Sequence, residues 1–160
     1  MPIRSLARLT LAAGLIAAAT AAYAFPTDDQ FIAVNGTDKP ITELGNKIMQ
    51  ATGAEKDQPT LLSGCLAGDV LVFEVFFEEE SHIMELAELH QVMKDPTDKG
   101  TLEKLFAEDL PKLKGLATAI MGLRTGHSAA CKALPFLTVN GAGYAAAEKA
   151  AVQIIGLLSL

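Results

Sequence analysis

Apolar positions along this chain recur mostly every three or four residues, the period of one helix face. Ile41, Leu44, Ile48 and Met49 predict a helix over 41–52, with Thr42 placed to cap it and Gly53 to end it. Ahead of it, Phe25 to Lys39 reads as an irregular lead-in with a turn-like Asn35-Gly36. Phe31 to Val34 within it is a short apolar run, either a strand or a segment tucked against the core. A polar loop is expected over Ala54–Pro59. Ser63-Gly64-Cys65-Leu66-Ala67-Gly68 reads as a turn of small residues, with Asp69 as the N-cap of the next element.

The stretch from Val70 to Lys94 carries the most information. Val70 to Phe77 has the β-branched and aromatic composition of a strand, whereas Glu78 to Met93 is helical in character. Sheet partners elsewhere are scarce, so the whole is expected as one long helix, with a strand as the alternative for its beginning. Asp95-Pro96-Thr97-Asp98-Lys99-Gly100 breaks it. Thr101 then caps a helix marked by Leu102, Leu105, Phe106, Leu110, Leu113, Leu116, Ala117 and Ile120. Pro111 kinks or restarts that helix and Gly126 ends it.

Ser128 to Leu134 is expected as a short helix carrying Cys131 and stopped by Pro135. Asn140 to Gly143 is a hinge-like turn, and Tyr144 to Ser159 a final helix with alanines on its packing side. The fold class that follows is all-α, a compact bundle of four to six helices. The alternative is α+β, with a short sheet from 31–34, 70–76 and 135–139.

The first 24 residues change the picture of where the chain works. Arg4 and Arg8 precede an uncharged apolar run from Leu9 to Ala22, and Ala22-Tyr23-Ala24 is a small-x-small cleavage site. That is the layout of a secretory signal peptide, too short and too rich in Ala and Thr for a membrane anchor. Residues 25–160 are then a single helical domain of the bacterial periplasm or the medium, with no transmembrane anchor. Cys65 and Cys131, an even count in an oxidising compartment, are expected to form one structural disulfide. The absence of C-x-x-C makes a redox pair or a metal thiolate site the weaker reading.

Composition narrows the function. The chain is 50% hydrophobic and 20% charged with a formal net charge of -6, which excludes disorder and lacks the basic footprint of a nucleic-acid binder. Charge is unevenly distributed. From Asp57 to Glu88 every Asp, Glu, Lys or Arg is acidic, whereas Lys112, Lys114, Arg124, Lys132 and Lys149 stand against Glu148 from Leu110 onward. An acidic face either keeps the protein soluble or attracts cations and basic partners.

One constellation could carry chemistry. On a helical wheel centred on Leu86, Glu79, His82 and His90 fall on the side of Val72, Val75, Leu89 and Met93, while Glu74, Glu80 and Glu88 point away. Polar groups interleaved with an apolar stripe need partners. Glu79 and His82 have the Glu-x-x-His spacing that bundle di-metal sites use twice, but here it occurs once. His127 could add a ligand from across the bundle, and Met84, Met93 and Met121 soft thioethers, so a transition metal ion is the cofactor this set would hold. The competing reading is an ordinary ion pair between Glu79 and His82, with His90 bridging to another helix.

No serine-hydrolase elbow, phosphate-binding glycine loop, zinc-protease motif or EF-hand loop occurs. The expectation is an exported accessory protein that binds a protein partner or ligand rather than catalysing a reaction. The alternatives are a metal or redox-cofactor protein using Glu79, His82, His90 and His127, and a carrier of a small hydrophobic molecule. The last is suggested by the apolar C-terminal run from Val152 to Leu160.

Overall fold

Phe31 and Val34 lie three residues apart, and Phe73 and Phe76 likewise. In both pairs the two rings or branched chains are buried on one side of a helix. A computed structural model describes residues 25–54 and 60–158. The expected leader, residues 55–59 of the expected polar loop, and residues 159–160, which include the expected helix end at Ser159, lie outside the described residues.

The described residues form seven helices: α1 (Asp28–Thr37), α2 (Lys39–Gly53), α3 (Leu61–Val92), α4 (Pro96–Gly126), α5 (Ala129–Lys132), α6 (Pro135–Val139) and α7 (Gly141–Leu157). The all-α class is therefore as expected. The segments 31–34, 70–76 and 135–139 are all helical, which overturns the α+β alternative.

Seven helices replace four to six because Asp28–Thr37 and Pro135–Val139 are helices in their own right. The expected lead-in is helix α1, entered through Thr27, whose backbone N–H donates to Gln30 Oε1 at 2.7 Å, with Asp28 and Asp29 in the first turn. Pro135 does not only stop the preceding helix. It sits in the first turn of α6, where its missing N–H costs nothing.

Helix α3 starts earlier than expected. Thr60 accepts from the N–H groups of Leu62 and Ser63, so the small residues 63–68 are its first turns rather than a loop. Asp69 is consequently not an N-cap but a buried acid inside the helix. The break after α3 is only Met93 to Asp95. Asp95 accepts from Thr97 N–H at 2.7 Å and caps α4, a hydrogen bond that also holds its carboxyl below the usual range. Thr101 lies within α4, donating its hydroxyl to Thr97 O at 3.1 Å. Pro111 sits on the exposed side of α4, which continues through it rather than restarting.

Helices α3 and α4 run antiparallel. The pairs His90–Glu103, His82–Asp109 and Asp69–His127 descend one helix as they ascend the other or its C-terminal cap. Helix α7 packs against both α2 and α4, and α2 packs on α3. Ala147, Ala150 and Ala151 are buried on α7, where small side chains let its neighbours approach. Helices α2 and α3 pack tightly at Gly45 of α2. A Cβ there would lie 2.9 Å from the Phe77 ring and 3.1 Å from Phe73 of α3.

The core is one continuous cluster running from Phe31 through Phe73, Phe76 and Phe106 to Tyr144 and Ile154. Cys65 and Cys131 are bonded, with Cα atoms 5.7 Å apart, tying the start of α3 to α5. None of the helices among the described residues is long and apolar enough to cross a membrane.

Candidate functional site

The buried stripe of α3 runs through Leu66, Asp69, Phe73, Phe76, Ile83, Leu86 and Ala87. It is rotated away from the wheel centred on Leu86, because the Phe73 and Phe76 rings bury more apolar area than Val72 and Val75 do. Val75 and Leu89 are exposed, and Val72 and Met93 half-buried. The rotation separates the expected site residues. It also turns Glu80, expected to point away, partly inward.

The histidines go to three different carboxylates. His82 Nε2 lies 3.2 Å from Asp109 Oδ2 with its side chain half exposed. His90 Nε2 lies 3.0 Å from Glu103 Oε1, and its ring stacks on Phe25 with centroids 3.9 Å apart. His127 Nε2 lies 3.0 Å from Asp69 Oδ1, with only 7% of its side chain exposed. Glu79 is half-buried, and its Oε1 has no hydrogen-bond partner among the described residues. Its charge instead acts on Lys112, which ion-pairs with Asp109 and is raised above the usual lysine range chiefly by that hydrogen bond. Glu79 and His82 thus share a neighbourhood, while His90 and His127 do not join them. Among the described residues no three His, Cys, Asp or Glu side chains are grouped to hold a metal.

Two features stand out in place of that constellation. The first is a shallow groove along the exposed side of α3. Three adjoining depressions share Glu85, and between them they take in Glu74, Glu78, Ser81, Glu88 and, from across the groove, Met49 and Asp38. Exposed Val75, Leu89 and Val92 lie among these acids, Val92 at 71% exposure.

Among the described residues no Lys or Arg ion-pairs with Glu74, Glu78, Glu80, Glu85 or Glu88. Burial pushes the Glu80 carboxyl up to about 7, and the nearby Asp38 charge adds to the rise. Glu80 Oε1 is closed from solvent and has no hydrogen-bond partner among the described residues. The groove is therefore acidic, partly apolar and short of positive charge.

The second feature is a buried polar cluster beside the disulfide. Tyr144 OH donates to Asp69 Oδ2 at 2.5 Å, and the His127 imidazole meets both Asp69 oxygens at 3.0 and 3.1 Å. A carboxylate only accepts, so the His127 proton on this side sits on Nε2. Burial and then Asp69 push the Tyr144 hydroxyl far above the usual tyrosine range. His127 also lines a cleft of about 480 Å³ together with Arg124, Lys132, Leu137 and Thr138.

Asp69 and Tyr144 were missed as a pair because Asp69 read as a cap. The usable signal was its spacing, four residues after Cys65 and four before Phe73, which puts it on the buried face. Compared with known proteins, the chain matches no family model, no curated protein and no solved structure.

Proposed function

We propose that this is an exported accessory protein that acts by binding, and that the groove on α3 receives a cationic, amphipathic segment of a protein partner. The observation that carries the reading is the set Glu74, Glu78, Glu80, Glu85 and Glu88, without Lys or Arg partners among the described residues, beside exposed Val75, Leu89 and Val92. Carboxylates and apolar side chains interleaved on one helix face complement a partner helix with lysines or arginines around an apolar stripe. The Asp38 charge adds to what burial does to Glu80, so a cation arriving beside Asp38 would ease that repulsion. The leader pattern of residues 1–24 and the Cys65–Cys131 bridge support an oxidising compartment outside the cytoplasm.

Calorimetric titration with a synthetic Lys/Leu amphipathic helix tests it. Binding should be saturable and weaken steeply between low and physiological salt, because the Debye length shortens. The Glu85→Lys/Glu88→Lys double variant should lose about tenfold in affinity or more. Undetectable binding at low salt, or equal affinity for the variant, would overturn the reading.

A further inference from the structure

The cleft beside His127 lies away from the acidic groove, and its lining has the opposite charge. Arg124 at the end of α4 and Lys132 at the end of α5 both face it, and no carboxylate lines it. Neither cation has an Asp or Glu partner among the described residues. Lys132 Nζ donates to Thr125 O at 3.0 Å, satisfying one of the open carbonyls at the C-terminus of α4, while Arg124 has no ion pair.

His127 supplies the second observation. Its side chain is more than nine-tenths buried, Asp69 holds Nε2, and Nδ1 is closed from solvent with no hydrogen-bond partner among the described residues. A buried ring nitrogen without a partner is costly unless something completes it. The imidazole is also held firmly. Asp69 is fixed by Tyr144, and the Cys65–Cys131 bridge joins the same two segments one helical turn away on each side. A site whose donors are fixed before the ligand arrives loses little entropy on binding. Leu137 and Thr138 of α6 give the cleft an apolar flank.

We propose that this cleft binds a small organic anion. Its carboxylate or phosphate headgroup lies between Arg124 and Lys132, with the doubly protonated form of His127 as a further donor, Nε2–H on Asp69 and Nδ1–H on the headgroup, and a short apolar body lies against Leu137. Arg124 is suited to grip such a headgroup with two parallel N–H bonds.

The test uses butyrate, butyl phosphate and inorganic phosphate as probes, followed by NMR on the full folded protein. Butyrate or butyl phosphate should give saturable shifts at Arg124, Lys132, Thr138 and the His127 ring nitrogens, and should bind about tenfold tighter than inorganic phosphate. Whichever of the two binds tighter identifies the headgroup. Arg124→Gln and Lys132→Gln, both at exposed positions, should each weaken binding about tenfold while leaving the His127–Asp69 signals of the free protein unchanged. Three results would overturn the assignment: no saturable binding by any probe, affinity unchanged in both variants, or inorganic phosphate binding as tightly as the butyl probes.

Discussion

Asp69 shows how far a single residue's role depends on where a helix begins. As an N-cap it would face solvent. Inside α3 it is 3% exposed and receives hydrogen bonds from Tyr144 and His127. Replacing it by Ala strands both donors, so Asp69→Ala should cost about 3–5 kcal/mol of stability in denaturant melts. Tyr144→Phe, which leaves Asp69 still paired with His127, should cost only about 1–2 kcal/mol.

Glu80 gives a pH prediction with a definite sign. Its folded-state value of about 7 lies above the ordinary 4.5, so folding favours the protonated form. That contribution is complete below pH 4.5 and lost as pH rises through 7. Glu80→Gln should therefore melt several degrees above the wild type at pH 8 and match it near pH 4. A constant offset across that range would contradict the assignment. Neither role was legible in the sequence. The wheel placed the stripe by aliphatic residues, and the two phenylalanines that rotate it weighed too little in that choice.

At the level of elements, the helical period identified α2, α7 and the later part of α3, whereas Val70 to Phe77 also carried a strand reading and Pro111 a restart of α4. The misreadings all came from residues that serve two roles. Gly64 and Gly68 punctuate loops in general, yet here they sit on the exposed side of α3 because Thr60 had already nucleated it. Asn35-Gly36 suggests a turn, but Phe31 and Val34 bury together and hold α1 as a helix. Pro135 marks a start as readily as an end.

The glycines themselves are testable. Gly45→Ala would drive a Cβ to 2.9 Å from the Phe77 ring, and overpacking of about 1–3 kcal/mol should exceed the roughly 1 kcal/mol gain in helix propensity. Gly115 on α4 is exposed and meets nothing, so Gly115→Ala should stabilise by about 0.5–1 kcal/mol. Thermal melts of the two variants should move in opposite directions.

For the molecule as a whole, the all-α class and the Cys65–Cys131 pairing were readable from the sequence, because periodicity and cysteine count are global signals. The separation of the histidines onto three different carboxylates was not, since it depends on rotations of α3 and α4 that no local pattern specifies. The bridge closes a loop of 66 residues, so Cys65→Ala/Cys131→Ala should lose about 4 kcal/mol. The melting temperature should fall by roughly ten degrees or more. It should also loosen the His127 end of α3, seen as faster amide exchange there than around Ile83.

The acidity of α3 has its consequence at the same scale. A surface of unpaired carboxylates repels itself and is retained at a cost in stability unless a partner meets it. A charge-swap titration tests this most directly. The Glu85→Lys/Glu88→Lys protein should fail to bind the Lys/Leu helix but bind the same helix with its lysines changed to glutamates, while the wild type shows the reverse preference. If both proteins prefer the same peptide, the groove on α3 is not a docking surface for a cationic segment.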